Sequence, residues 1–189
     1  MNPESPFYHP CPLEQHYCTQ CGNPLTRMIP PEDNRERDCC THCGAVHYRN
    51  PLIVAGTVTI HQGKVLLCKR AIEPRYNKWT LPAGFMELKE STAAGALRET
   101  LEEAGAEVQL GQLFTVIDVP RVSQVHMYYL ATADTDALDP GEESLEAAYF
   151  ALDDIPWDEL SFTTVAETLK RYIADTQKQH YQTHFFSLE

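Results

Sequence analysis

Apolar residues follow two rhythms along this chain. Residues 53–60 (IVAGTVTI) and 64–70 (KVLLCKR) are short runs rich in β-branched and aliphatic side chains, with turn chemistry at His61-Gln62-Gly63 between them. The pair reads as a β-hairpin. Further strand-like stretches cover 79–81, 108–118, 124–132 and 145–151, and Asp139-Pro140-Gly141 is a turn before the last of them. The period becomes helical twice. Ala93, Ala96, Leu97, Thr100 and Leu101 predict a helix over 92–103 with these residues on its buried side. Ser91 is its N-cap residue and Gly105 the glycine that ends it. Val165, Leu169, Tyr172 and Ile173 predict an amphipathic helix over 163–175. Strands and hairpins with two helices imply a mixed sheet carrying helices on its faces. There is no internal repeat and no low-complexity tract.

The polar side of the first helix departs from ordinary practice. Glu99, Glu102 and Glu103 stand at i, i+3 and i+4, so three carboxylates share one face. Like charges at that spacing repel, and they crowd the last turn, where the helix dipole favours cations. Each effect disfavours the helix by roughly 0.3–1 kcal/mol. A hard divalent cation among the three would reverse both.

The wider spacing is more specific still. Gly84, five residues, Glu90, seven residues, Arg98-Glu99, then Glu102-Glu103 and Gly105 form one constellation. It resembles the box of the Nudix hydrolases, Gx5Ex7REUxEExGU with U aliphatic. Every fixed position is filled, with Thr100 and Ala106 as departures at two U positions. Trp79-Thr80-Leu81-Pro82-Ala83-Gly84 is similar to the family's strand-to-loop approach. The resemblance implies an α/β/α sandwich, of the α+β or α/β class, with a mixed sheet. It also implies Mg²⁺ (or Mn²⁺) held by Glu99, Glu102, Glu103 and the Gly84 carbonyl, with Glu90 and Arg98 orienting the loop against the helix. The reaction implied is hydrolysis of a pyrophosphate. An added acid on the strand after the box is a family habit, and Glu146 in Glu146-Ala147-Ala148-Tyr149-Phe150 fits it, with Glu142 and Glu143 as neighbours that could substitute. Glu103 and Glu146 are both candidates for the base that takes the proton from water.

Seven cysteines add a second metal centre. Cys18-x-x-Cys21 and Cys40-x-x-Cys43 are separated by eighteen residues, each pair followed by glycine (Gly22, Gly44). That spacing is a zinc ribbon with four thiolates and no open coordination position, hence a structural Zn²⁺. Two disulfides or a redox CxxC are the competing readings, and Cys39 could replace Cys40. Cys11 reads as a free thiol, Cys68 as a buried strand residue, and His42 and His47 as bystanders.

Charge then bears on partners. The formal net charge of −12 is spread unevenly: −2 over residues 1–50, 0 over 51–133 and −10 over 134–189. Such a chain has no electrostatic footprint for duplex DNA, and the ribbon's Arg27, Arg35 and Arg37 are balanced by Glu32, Asp33, Glu36 and Asp38. The local exception is Lys69, Arg70, Arg75 and Lys78, a basic run beside an acidic one, as suits a phosphate anion chelated to metal. Lys69, Arg70 and Arg75 are therefore candidate phosphate clamps, and Tyr76, Trp79, Phe85, Tyr128 and Tyr129 candidate platforms for a base. The N-terminal segment lacks the features of a signal peptide and no run of eighteen apolar residues occurs, which reads as a cytoplasmic protein without a membrane partner.

The expected organisation is a leader over 1–15, a zinc ribbon over 16–50, a Nudix domain over 51–178 and a tail over 179–189. A ribbon before HYRNP, LLCKRAIEP and WTLPAGFMELKEST resembles the zinc-ribbon Nudix subgroup, whose substrates are dinucleotide-like: ADP-ribose, FAD and NADH. The SQPWPFPxS array of the NADH group is absent from 107–130, and Pro120 lies near the proline associated with ADP-ribose hydrolases. ADP-ribose or FAD is thus favoured over NADH, with AMP released, no nucleic-acid partner and, by resemblance, a homodimer. The alternatives are a nucleic-acid-binding ribbon protein with a non-catalytic Nudix domain, and a nucleoside triphosphate pyrophosphatase or isoprenoid diphosphate enzyme on the same fold.

Overall fold

The computed structural model describes residues 15–189. Positions 1–14 of the leader, Cys11 among them, fall before the first described residue, Gln15. The described chain forms two compact units that part between Asn50 and Pro51.

The N-terminal unit is a small antiparallel sheet of β1 (Thr26–Met28), β2 (Arg37–Cys39) and β3 (Val46–His47), in that order. Thr26 pairs with Cys39, and Asp38 with His47. Asp38 is buried and anchors Arg49 at 2.7 Å.

The second unit is built on one mixed sheet. Its strands are β4 (Leu52–His61), β5 (Lys64–Arg70), β6 (Trp79–Thr80), β7 (Ala83–Phe85), β8 (Val108–Val119), β9 (Gln124–Ala133), β10 (Ser144–Phe150) and β11 (His184–Ser187). The long path runs β10-β5-β4-β9-β8-β11, with β6 on β5 and β7 on β4. β4 with β9 and β8 with β11 are parallel pairs; the others are antiparallel. The β4–β5 hairpin turns through Gln62 (φ 48°) and Gly63 (φ 78°), two left-handed residues as a type I′ turn requires.

Two helices cover opposite faces: α1 (Thr92–Ala104) and α2 (Thr163–Lys178). The two-residue period of the strands divides the core between them. Val58, Leu67, Phe114 and Ile117 pack with Val165, Leu169 and Tyr172 of α2, while Leu66 and Cys68 face Ala104 at the end of α1. The α/β/α sandwich is therefore the fold. Ser91 caps α1 by accepting from the Ala94 N–H at 3.1 Å, and Gly105 ends it at φ 66°.

Three expectations change. Leu97 and Leu101 are 37% and 51% exposed, not buried. The side of α1 that faces the sheet is made of Gly95, Ala96, Thr100, Glu103 and Ala104, residues small or polar enough to let the helix lie close to β4. The loop before α1 contains a strand, β7, whose approach to β4 depends on Gly56, since a Cβ there would overlap Ala83 and the Pro82 carbonyl. The 179–189 tail carries β11, which adds to β8 and sends Phe186 and Leu188 into the core. Among the described residues no helix is long and apolar enough to cross a membrane.

Candidate functional site

In the ribbon two matching knuckles present the cysteines. Gly22 (φ 72°) and Gly44 (φ 77°) let their N–H groups donate back to the Cys18 and Cys40 carbonyls, both at 2.9 Å. The four Sγ atoms of Cys18, Cys21, Cys40 and Cys43 lie within 4.8 Å of one another, with Cys18–Cys43 at 3.6 Å and Cys21–Cys40 at 3.5 Å. A disulfide needs about 2.05 Å, whereas a tetrahedral thiolate site with bonds near 2.3 Å has edges of about 3.8 Å. The donor set fits a closed zinc site. Cys39 turns away, toward the Met28 and Arg37 carbonyls. His47 is more than a bystander: its Nε2 is 3.4 Å from Cys18 Sγ, and Gln15 stands 3.5 Å from its Nδ1. Such outer contacts orient ligands. Asn23 serves Cys21 in the same way, and its side-chain and backbone hydrogen bonds bring that thiol down to about 6.

The acidic site is assembled where β7 passes α1. Arg98 is its hub. Nε and Nη2 grip Glu90 at 3.2 and 2.9 Å, Nη2 also donates to the Phe85 carbonyl at 3.0 Å, and Nη1 donates to Glu99 (2.7 Å) and Glu102 (2.9 Å). Glu90 and Arg98 thus pin the loop 84–90 to the helix. The link to Glu102 follows the i,i+4 spacing of a helix, whereas the link to the adjacent Glu99 does not. Glu103 is buried and accepts from the Ala83 N–H at 3.0 Å. Gly84 has no room for a side chain, since a Cβ would run into the Glu99 carboxylate.

Electrostatics follow from this placement. Burial pushes the Glu103 carboxyl up to about 8, against the Ala83 N–H, which favours the anion. Burial also raises Glu99, opposed by Arg98. The Arg98 hydrogen bonds hold Glu90 below its ordinary value, and Glu90 foremost raises Arg98. The three box carboxylates do not converge on one point: Glu99 and Glu102 share Arg98 Nη1, while Glu103 turns to β7. Among the described residues the four cysteines are the one group of three or more ligand atoms gathered at coordination distance.

The remaining candidates divide. Glu146 is exposed on the edge strand β10, opposite Lys69 in register. The acid whose charge is felt by both Glu99 and Glu103 is Glu143. The turn at Asp139-Pro140-Gly141 carries it there: the Asp139 N–H donates to the Ala104 carbonyl at 2.9 Å, and Gly141 has no room for a Cβ against Glu102. Arg70 is the basic residue felt by Glu103; its guanidinium lies 5.3 Å from the Phe162 ring. Lys69 Nζ lies 5.5 Å from the Trp79 ring, Lys78 donates to the Asp158 carbonyl, and Arg75 is exposed in a left-handed turn (φ 71°). Trp79 itself is core, edge-on to Phe150 at 4.8 Å, and Tyr128 is buried, so neither is a platform for a base. Phe85 and Tyr76 are 44% and 53% exposed and remain available.

Comparison with known proteins supplies the wider setting. The profile of the NUDIX domain matches residues 50–184, and a zinc-ribbon profile described as Nudix N-terminal matches residues 16–49. A NAD-capped RNA hydrolase NudC from Salmonella heidelberg is 28% identical over 144 residues, 74% of this chain and 53% of that protein. A NudC from Citrobacter koseri matches to the same extent. The chain thus spans about half the length of the curated relatives it matches. A NUDIX hydrolase from Nitrosomonas europaea superposes with a TM-score of 0.89 at 41% identity, over 92% of this chain and 99% of that one. An ADP-ribose pyrophosphatase from Streptococcus suis superposes at 0.60 with 23% identity, over 72% of this chain and 99% of that one, a likeness of fold.

Proposed function

The chain belongs to the Nudix hydrolase family, and from that premise we propose that it hydrolyses the pyrophosphate bond of a dinucleotide-like nucleoside diphosphate, ADP-ribose or FAD before NADH, releasing AMP. The observation that carries the reading is the acidic site: a complete box whose arginine grips three of its own glutamates while a fourth is buried against β7.

The residues suit a hard divalent cation. The donors are carboxylate oxygens, as Mg²⁺ prefers, and Gly84 leaves the space into which Glu99 projects. Glu99, Glu102, Glu103 and the Gly84 carbonyl would hold Mg²⁺ or Mn²⁺. When bound, the metal supplies neutralisation of the diphosphate oxygens and activation of a water. The protein's own part is positional and basic. Glu90 and Arg98 keep the loop 84–90 fixed, so that β7 and α1 face the substrate as one surface. Glu103, buried against β7, is one candidate for the base that takes the proton from water. Glu143 is beside it, and Glu146 stands on the adjacent edge strand, as the other candidate bases. Arg70 can grip a phosphate through its planar fork, and Phe85 offers an exposed ring. The ribbon's four cysteines hold a structural Zn²⁺ in this reading.

A second substrate is favoured by the relatives named NAD-capped RNA hydrolase, which match 74% of this chain. It narrows the expectation of no nucleic-acid partner to duplex DNA, which the charge disfavours. A hydrolysis panel of ADP-ribose, FAD, NADH, NAD-capped RNA and nucleoside triphosphates with Mg²⁺ or Mn²⁺ tests both. AMP from a dinucleotide, abolished by Glu102→Gln, supports the proposal; pyrophosphate released from a triphosphate alone refutes it.

A further inference from the structure

Behind the acidic turn of α1 lies a line of hydroxyls that the chemistry above does not use. Thr57 and Thr59 of β4 and Thr100 of α1 are all fully buried. Thr100 Oγ1 donates to the Ala96 carbonyl at 2.7 Å, so its one proton is committed. The Thr57 hydroxyl, 2.7 Å away, must then donate to Thr100, and the Thr59 hydroxyl, 2.7 Å from Thr57, must donate to Thr57. The result is a one-way relay from the sheet into the backbone of the helix. Position 100 is one where the box pattern takes an aliphatic residue, and valine would fill the same space without a buried polar group to satisfy.

We propose that Thr100, tied through Thr57 and Thr59, is a positioning residue that fixes the rotation of α1 for metal binding. The inference rests on the metal-site reading above. Thr100 directly follows Glu99 and precedes Glu103 by three positions, so it shares a turn with both. Arg98 also ties this part of the helix to β7 through the Phe85 carbonyl, and Glu103 does so by accepting from the Ala83 N–H with its carboxylate. That carboxylate is itself a metal ligand in the proposed function, so its hold on the strand must change when it coordinates. The threonine relay contains no ligand and stays intact. The precision needed is high. Glutamate oxygens lie about 5–6 Å from a helix axis, so a roll of about 15° moves them by about 1.5 Å, beyond the tolerance of an octahedral Mg²⁺ site.

The test is Mn²⁺ binding to the full chain, followed by the electron paramagnetic resonance of free Mn²⁺, without substrate. Thermal midpoints are measured alongside. Thr100→Val is expected to weaken Mn²⁺ binding about tenfold, the scale of lost outer contacts at metal sites. Thr100→Ser, which keeps the hydroxyl, should bind Mn²⁺ to within about twofold of the parent protein. The triple variant Thr57→Val, Thr59→Val, Thr100→Val leaves no orphaned hydroxyl. It should keep the weak binding even where its thermal midpoint equals that of the parent. Wild-type affinity in Thr100→Val, or affinity that returns with the midpoint in the triple variant, overturns the proposal. Should Thr100→Val fail to fold, Thr57→Val cuts the relay from the strand side and carries the same two outcomes. Mn²⁺ binding without hydrolysis of any pyrophosphate overturns the proposed function and leaves this proposal standing. A parent protein that binds no Mn²⁺ overturns both.

Discussion

Gly95→Ala separates helix propensity from the geometry of the site. Alanine in place of glycine inside a helix ordinarily stabilises it by about 1 kcal/mol. Here a Cβ at position 95 would stand 2.9 Å from Glu90 Oε1, 3.3 Å from its Cδ and 3.5 Å from Met86 Cγ. Glu90 is not free to swing aside, because Arg98 holds both its oxygens and the Glu87 N–H donates to it as well. The Glu90 and Arg98 side chains are 15% and 28% exposed, so water replaces a lost contact only in part. A hydrogen bond to a charged group is worth about 1.5–3 kcal/mol. Misaligning one outweighs the propensity gain and leaves Gly95→Ala destabilised by about 1 kcal/mol, a drop of about 3 °C in thermal midpoint. In a Glu90→Ala background the obstacle is gone, and the same substitution should stabilise by about 1 kcal/mol. Calorimetry of the four proteins closes the cycle. A rise in midpoint for Gly95→Ala with Glu90 in place refutes the reasoning.

Two further outcomes follow from other parts of the chain. Metal analysis should find about one equivalent of zinc per chain, retained when Mg²⁺ is removed and lost in Cys40→Ser; a zinc-free parent protein would exclude the closed thiolate site. The second concerns Asp175, whose burial favours the neutral acid but is outweighed by His184 Nε2 at 2.8 Å and the Gln182 N–H, so its pKa is lowered. A lowered carboxylate adds stability that is present above its unfolded value of about 3.9 and is lost as pH falls through the folded value. The thermal midpoint of the parent should therefore fall more steeply below about pH 4 than that of Asp175→Asn; parallel acid limbs would show that the pair carries no such linkage.

Much of the site was legible because its logic is local. Ser91, Gly105 and the Glu90–Arg98 pair act over a few turns of chain, and spacing alone places them. The cysteine knuckles are local in the same sense. What escaped was set by approach between elements. Leu97 and Leu101 look like core residues by size and period, yet the sheet accepts the side of α1 bearing Gly95, Ala96 and Ala104, because small residues let the helix come nearer. Trp79 looks like a platform for a base by its place before the box, and is core because β6 hangs on β5 over Phe150. Glu143 joins Glu99 and Glu103 through the packing of a turn against the end of α1, which no spacing rule reports. The β11 strand is four residues long, too short to display a period.

The parallel pairing of β4 with β9 has a consequence in time. It joins positions about seventy residues apart, and β7, the loop 84–90 and α1 all lie within the loop that it closes. Closing so long a loop costs entropy before any contact repays it, and topologies of this kind fold slowly. The ribbon cysteines at the two ends of their module are only 25 residues apart. A zinc held there, as proposed, would have ligands local enough to guide the chain while it folds. The proposed cation site draws on residues just as near in sequence, Gly84 to Glu103, but β7 is held by its pairing with β4, so a cation there would follow the strand that positions it.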